Sequence, residues 1–80
     1  MEYKQFKYVL KIAELGNLTK AAEELYITQP SLSHYIARVE EEIGTQLFDR
    51  STNPLSLTPA GERYCETARM ILQLDAKLRK

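Results

Sequence analysis

Two threonine–proline combinations mark where helices begin in this chain. Thr28 precedes Pro30 by two residues and Thr58 directly precedes Pro59, so each hydroxyl can cap a helix whose first turn holds a proline. After Pro30, apolar residues follow at spacings of four, three and four, which indicates one buried helix face. These residues are Leu32, Ile36, Val39 and Ile43. The pattern predicts a helix over residues 29–43 and another that starts at residue 59 or 60 and runs to the end of the chain.

Two further helices are predicted before Thr28. Apolar residues recur every three or four positions from Tyr3 to Leu15, and Gly16-Asn17 follows as a stop signal. Thr19 can cap a second helix of about two turns. Its inward face would hold Ala21, Ala22 and Leu25. Tyr26-Ile27 and the cap residue Thr28 then separate it from the next helix, and two short helices joined in this way are typical of a helix-turn-helix.

A small hairpin is predicted between the last two helices. Residues 47–50 and 55–57 alternate in polarity, and the residue types of 51–54 (Ser-Thr-Asn-Pro) favour a turn. The expected fold class is therefore mostly α: a winged helix-turn-helix, meaning a three-helix bundle with a β-hairpin wing, followed by a long helix. We expect residues 1–58 to form the winged domain and residues 59–80 to form a linker and dimerisation helix.

The composition argues against several classes of function. The 80 residues leave room for one domain, and 11 basic and 11 acidic residues leave no net charge to hold nucleic acid by bulk attraction alone. One histidine and one cysteine cannot make a zinc site of three or four ligands. Ser31, Ser33 and His34 could suggest a hydrolase, but a hydrolase site requires an acid that orients the histidine, and this short helix offers none. We therefore expect no enzymatic activity, no metal and no cofactor.

Cysteine usage and hydropathy indicate where the protein works. Cys65 is the only cysteine, so it forms no internal disulfide. No apolar run approaches the roughly 20 residues that span a bilayer, and the chain shows no secretory leader pattern. We expect a cytoplasmic protein with no membrane partner.

The face of the third helix that lies opposite its apolar stripe carries small and hydrogen-bonding side chains. It has no acid before Glu40-Glu41-Glu42, which we interpret as a solvated helix end, so the positive end of the helix dipole lies free of negative side chains. Recognition helices contact bases in the major groove with their N-terminal residues. Candidate base contacts are Gln29, Pro30, Ser31, Ser33 and His34. Periodicity alone leaves an ordinary solvated helix face as an equal alternative.

The segment from Ala21 to Arg50 resembles the signature of LysR-type bacterial transcriptional regulators. The matching pattern is Ala-Ala-x-x-Leu-x-Ile-Thr-Gln-Pro-Ser-Leu-Ser-x-x-Ile-x-x-Val-Glu-x-x-Ile-Gly-x-x-Leu-Phe-x-Arg, and residues 57–61 (Leu-Thr-Pro-Ala-Gly) resemble its continuation. The resemblance implies a winged helix-turn-helix that reads double-stranded promoter DNA at a partly palindromic site. It also places Thr28 and Arg38 beside the base-reading residues.

In the wing, the resemblance implies DNA contact by Arg50 and draws attention to Asn53. The family often has an arginine at the position of Asn53, where it would enter the minor groove or clamp a phosphate. Asparagine is shorter and uncharged, so entry of this wing into the minor groove is left open. His34 also departs from the family, which is frequently basic at that position.

The resemblance further implies a homodimer formed through the last helix, and a C-terminal effector-binding domain. The chain stops while the last helix is still running, so we expect it to be a fragment in which a small-molecule effector acts only through the missing domain.

Apolar residues on the last helix spread over more than half of its circumference. One buried face needs a stripe of only about 100° or somewhat more, so the surplus indicates a partner helix. Candidate dimerisation residues are Tyr64, Ala68, Ile71, Leu72 and Leu78. Two alternatives stay open here: exposed apolar surface on a free fragment, and a winged helix used for protein–protein assembly without DNA readout.

Overall fold

The computed structural model describes residues 2–79 as four helices and one two-stranded antiparallel sheet. In chain order the elements are α1 (Tyr3–Leu15), α2 (Leu18–Glu24), α3 (Gln29–Ile43), β1 (Phe48–Asp49), β2 (Ser56–Leu57) and α4 (Pro59–Leu78). In the sheet, Phe48 lies opposite Leu57 and Asp49 lies opposite Ser56. The predicted winged helix-turn-helix with a long last helix is confirmed. The predicted end of that helix at Lys80 lies outside the described residues, as does Met1.

The two threonine caps form as predicted. The Thr28 hydroxyl accepts a hydrogen bond from the Ser31 amide at 3.2 Å, and the Thr58 hydroxyl accepts one from the Gly61 amide at 3.0 Å. Gly44 caps the C-terminal end of α3: it has a left-handed φ of 90°, and its amide donates to the Glu40 carbonyl at 2.8 Å. These caps explain why both ends of α3 could be predicted.

The cap of α2 differs from the prediction. Asn17, not Thr19, is its N-cap, because the Asn17 side chain accepts the Lys20 amide at 2.8 Å. The chain is already extended at Asn17, so the helix begins at Leu18 and Thr19 falls inside its first turn.

One apolar core joins α1, α2, α3, the start of the wing and the first half of α4. Its buried members are Phe6, Val9, Ile12, Ala21, Ala22, Leu32, Ile36, Val39, Leu47, Phe48, Cys65 and Ala68. Ile43 was predicted to belong to this core but is 36% exposed. It lies in the last turn of α3, where it lines an open groove with Phe6 and Ile71.

The start of α4 is fixed against the segment that leads into β1. The Thr58 hydroxyl donates to the Gln46 carbonyl at 2.6 Å, and the Thr58 amide donates to the Leu47 carbonyl at 3.0 Å. Gly61 is buried at this contact. Cys65 and Ala68 also belong to the core, so the first half of α4 packs as part of the folded domain. The division of the chain into a winged domain (residues 1–58) and a linker and dimerisation helix (residues 59–80) stays a prediction.

The turn between α1 and α2 supports the wing. The Leu55 amide donates to the Gly16 carbonyl at 3.0 Å, and Gly16 has a left-handed φ of 63°. A Cβ on Gly16 would lie 2.8 Å from the Cβ of Pro54, so this close approach requires glycine. The strand that returns from the wing tip is therefore tied to the helical body.

Within residues 2–79, no helix is both long and apolar enough to cross a membrane. The same residues contain no group of three or more side chains arranged to hold a metal ion.

Candidate nucleic-acid interface

The predicted base-reading residues lie together on the N-terminal half of α3. Pro30, Ser31 and His34 are exposed, whereas Gln29 and Ser33 are half-buried. Tyr35 and Arg38 extend the same open surface along the helix. We call this set the α3 surface: Gln29, Pro30, Ser31, Ser33, His34, Tyr35 and Arg38. It presents amide, hydroxyl and imidazole groups near the helix N-terminus.

The α3 surface is free of acidic residues. Between Glu24 and Glu40 the chain contains no aspartate or glutamate, and Arg38 is exposed in that interval. The exposed acids Glu41 and Glu42 lie near the opposite end of α3. The positive end of the helix dipole therefore faces outward with no negative side chain beside it in sequence.

Thr28 is exposed, but its hydroxyl is occupied within the helix start. It accepts from the Ser31 amide and donates to the Ser31 hydroxyl at 2.8 Å. The Ser31 hydroxyl keeps its own proton for another acceptor. Thr28 thus orients Ser31 and caps α3.

Lys4 of α1 brings a cation to the side of α3. Its ammonium lies 5.4 Å from the ring centroid of Tyr35 and 5.7 Å from that of Tyr8. The two rings are 5.0 Å apart, and burial raises the pKa of Tyr35, which keeps its hydroxyl neutral. The sequence did not identify Lys4 because its position depends on how α1 packs against α3.

The turn of the helix-turn-helix contains a strained residue. Tyr26 has a left-handed φ of 60°, and its side chain is 93% exposed. The Ile27 amide bonds back to the Ala22 carbonyl at 3.0 Å, which closes the reversal between α2 and α3. The backbone of Tyr26 therefore turns the chain between α2 and α3, while its side chain does not pack against the domain.

The wing is attached to α3 through Glu40 and Arg50. Glu40 is only 8% exposed, and its Oε2 accepts the Leu47 amide at 2.7 Å. Its Oε1 lies 3.1 Å from Arg50 Nη2. The interpretation of Glu40 as part of a solvated helix end was therefore wrong. The family pattern in the sequence contains both Glu40 and Arg50, ten positions apart, and this was the one feature of the sequence that could have indicated their contact.

The wing tip has hydrogen bonds of its own. The Asp49 carboxylate accepts from the Ser51 hydroxyl and, at 2.9 Å, from the Ser51 amide. These two bonds lower the pKa of Asp49, which keeps it ionised. Thr52 and Ser56 share a hydroxyl hydrogen bond of 3.0 Å across the turn, and Asn53 is exposed at the tip.

Comparison with known proteins identifies the family. The model for the "Bacterial regulatory helix-turn-helix protein, lysR family" matches residues 3–62. The chain belongs to this family.

Curated relatives of this LysR-family chain carry the names of transcriptional regulators. BudR of Klebsiella aerogenes is 47% identical over 81 residues, a match that covers 100% of this chain and 57% of BudR. TcbR of Pseudomonas sp. (strain P51) is 39% identical over 77 residues, covering 96% of this chain and 26% of TcbR. The chain thus spans only about a quarter of the length of TcbR.

Solved structures agree with the fold. A complex of the BenM DNA-binding domain with catB site 1 DNA matches with a TM-score of 0.92 and 36% identity, covering 98% of this chain and 84% of that one. A complex of the CbnR DNA-binding domain with DNA matches with a TM-score of 0.87 and 38% identity, covering 96% and 88%. Both of those domains are bound to DNA in the solved structures.

In this LysR-family domain α4 has an exposed apolar stripe in addition to its buried face. Leu74 and Leu78 are 66% and 83% exposed, Met70 is also exposed, and Ile71 is half-buried. We call Met70, Ile71, Leu74 and Leu78 the α4 stripe.

The buried face of α4 lies on the other side of the helix. Ala68 was predicted to face a partner, but it is fully buried, because it follows Gly61 and Cys65 along the side of α4 that packs on the core. Tyr64 and Leu72 are half-buried and flank that side. Met70 and Leu74 were absent from the predicted dimerisation residues, although they are the exposed members at helical spacing.

Proposed function

We propose that this chain is the sequence-specific DNA-reading domain of a LysR-type transcriptional regulator, with α3 in the major groove of a promoter in the bacterial cytoplasm. The observation that carries the proposal is the α3 surface, which offers hydrogen-bonding side chains and no acid at the helix end that recognition helices present to bases. Membership of the lysR family and the DNA complexes of the similar BenM and CbnR domains support it.

Four residues of the α3 surface suit contacts with bases. Gln29 can bond in two places to adenine, and Pro30 can pack against a thymine methyl. Ser33 and His34 can donate to or accept from base edges. These residues lie in the N-terminal turns of α3, so we assign specificity to residues 29–34.

Phosphate contacts fall to the cations at the edge of that surface. Arg38 is exposed four residues beyond His34, and Lys4 lies over the Tyr35 ring on the α1 side. Contacts of this kind fix the position of a protein on the duplex and carry no sequence information. Asn53 at the wing tip would add hydrogen bonds but no charge.

Selection from a random duplex library followed by titration tests this function. The domain should retain a defined sequence, and its affinity for that duplex should fall steeply between 50 and 200 mM salt because phosphate contacts release counterions. A scrambled duplex of the same length is the control. Absence of binding to any duplex at low salt would overturn the proposal and favour the assembly module, which the zero net charge supports.

We also infer that the domain works as a homodimer formed through the α4 stripe. Leu74 and Leu78 are exposed leucines that follow Ala68, the last buried residue of α4, and a second copy of the helix would cover them. Two-fold pairing would hold two α3 helices about one DNA turn apart, roughly 34 Å, which suits a partly palindromic site. Because the chain has no net charge, two linked domains would supply the affinity that one lacks.

A further inference from the structure

We infer that Arg50 is a positioning residue that holds the wing against α3 through Glu40, and that the wing meets DNA without a free cation. The inference deepens the proposed function, since the wing matters only if the domain binds DNA. It replaces the expectation that Arg50 contacts DNA.

Glu40 is a carboxylate that the fold takes out of water. Its Oε2 accepts hydrogen bonds from the amides of Leu47 and Phe48 at 2.7 and 3.3 Å. These bonds hold the end of the loop that follows α3 and fix the position of Phe48, the first residue of β1. A buried carboxylate is costly unless hydrogen bonds and an opposite charge compensate it. The two amides supply the first requirement.

Arg50 supplies the second. Its Nη2 donates to Glu40 Oε1 at 3.1 Å, and its Nη1 lies 3.5 Å from Oε2, so the guanidinium covers both carboxylate oxygens. Among residues 2–79, Arg50 is the one ion-pair partner found for Glu40. Loss of Arg50 would leave a buried charge unpaired at the point where the wing joins α3.

The remaining wing residues provide no other cation. Between Phe48 and Leu57 the charged residues are Asp49 and Arg50, and the tip consists of serine, threonine, asparagine and proline. With Arg50 paired to Glu40, the unpaired charge of the wing is the negative one on Asp49. The wing is therefore positioned by two anchors, Glu40 of α3 at the start of β1 and the Gly16 carbonyl at Leu55 just before β2, and not by attraction to phosphate.

Three variants separate positioning from phosphate contact. Arg50→Met removes the charge and keeps the length, Glu40→Gln removes the buried charge and keeps an oxygen for the amides, and the double variant removes both. If Arg50 acts through Glu40, Arg50→Met should weaken binding to the selected duplex about tenfold, and the double variant should recover to within about threefold of wild type.

The salt dependence and the footprint give independent readouts. The slope of log affinity against log salt should match wild type in Arg50→Met and in the double variant, whereas loss of a phosphate contact would reduce it by about 0.9. Arg38→Met is the matched control that should lose that increment. Hydroxyl-radical protection at the flanks of the site should shrink in Arg50→Met and return in the double variant, which a general loss of stability would not produce.

Hydrogen exchange of the free protein extends the test to the case in which no DNA binds. The Leu47 and Phe48 amides should exchange at least about tenfold faster in Arg50→Met, while the Ile36 and Val39 amides in the middle of α3 stay near wild type. Reduced salt slopes in the Arg50→Met and double variants would overturn the inference, as would unchanged wing exchange. If Arg50→Met does not fold, the slope and footprint of the double variant decide. Failure of the wild type to bind DNA would refute the proposed function. Hydrogen exchange of the Leu47 and Phe48 amides would still test whether Arg50 positions the wing.

Discussion

The backbone of Gly61 lies against the carbonyl group of Leu47 so closely that no side chain fits between them. A Cβ on Gly61 would overlap the Leu47 oxygen and lie 2.9 Å from its carbonyl carbon. The Leu47 carbonyl is a backbone group that cannot move aside easily, because its oxygen also accepts a hydrogen bond from the Thr58 amide at 3.0 Å. We expect Gly61→Ala to lower the free energy of unfolding by about 3 kcal/mol, measured by urea denaturation.

Gly44→Ala is the matched control for this substitution. A Cβ on Gly44 would meet nothing within 4 Å, so the cost there arises only from the left-handed φ of 90° and should be about 1 kcal/mol. If both alanines cost the same, the contact between Gly61 and Leu47 does not limit the packing of α4.

Relief of backbone strain should stabilise the domain at Tyr26. A non-glycine residue at φ 60° is strained, and the 93% exposed ring packs against nothing that would be lost. Asparagine tolerates this conformation, so Tyr26→Asn should raise the free energy of unfolding by about 0.5–1 kcal/mol. Tyr26→Phe keeps the strain and should leave stability unchanged; an equal gain from phenylalanine would assign the effect to the side chain.

The fold could be predicted closely because its helix ends depend on local chemistry. Thr28 and Thr58 cap helices within three residues of themselves, and the apolar spacing of α3 is visible in the printed sequence. The cap of α2 was misplaced because Asn17 and Thr19 are both good caps, and the choice depends on where the turn at Gly16 releases the chain. That choice depends on tertiary structure, which the local sequence does not reveal.

The site was predictable only where one helix contains it. Residues 29–38 share the face of α3, so periodicity grouped them. Glu40 and Lys4 depend on partners from other elements, since Glu40 is buried by the wing and Lys4 rests on Tyr35. Ala68 was misassigned because apolar residues on α4 do not reveal which of two faces meets the core.

The hydroxyl of Tyr64 should make the domain sensitive to alkaline pH. Its oxygen is buried with no hydrogen-bond partner among the described residues, and burial raises the pKa of Tyr64 to about 12 from 10.0. The unfolded chain therefore ionises first, and stability falls as pH rises from about 10 through about 12.

Removal of that hydroxyl tests the assignment. Tyr64→Phe should raise the free energy of unfolding at neutral pH by about 1 kcal/mol, because it removes an unsatisfied polar atom. It should also reduce the loss of stability between pH 10 and 12, measured by denaturation across that range. Tyr3→Phe, at an exposed ring of α1, is the control and should change neither quantity.

Base contacts on α3 should be separable from phosphate contacts. Ser33→Ala and His34→Ala should each reduce discrimination between the selected duplex and its scrambled version by about 1–3 kcal/mol, if each residue reads a base. Arg38→Ala should weaken both duplexes equally and flatten the salt slope. Fluorescence anisotropy with both duplexes at two salt concentrations measures these effects. Equal weakening of both duplexes by Ser33→Ala and His34→Ala would restrict these residues to the backbone.

A charge on the α4 stripe should break the proposed homodimer. Leu74 is 66% exposed between Met70 and Leu78, so Leu74→Glu would bury a carboxylate against a partner helix. We expect the dissociation constant of the dimer to rise at least about tenfold in sedimentation equilibrium, and affinity for a palindromic duplex to fall more than affinity for a half-site.

Ala76→Glu provides the matched control for that experiment. It adds the same charge two residues away, at an exposed position on nearly the opposite side of α4. Dimerisation should survive it, because the stripe is unchanged. A wild-type domain that forms aggregates of no fixed size, or equal weakening by both substitutions, would show that the exposed leucines do not define a two-fold interface. Dimers that resist Leu74→Glu alone would place the interface on another face of the domain, away from Leu74 and Leu78.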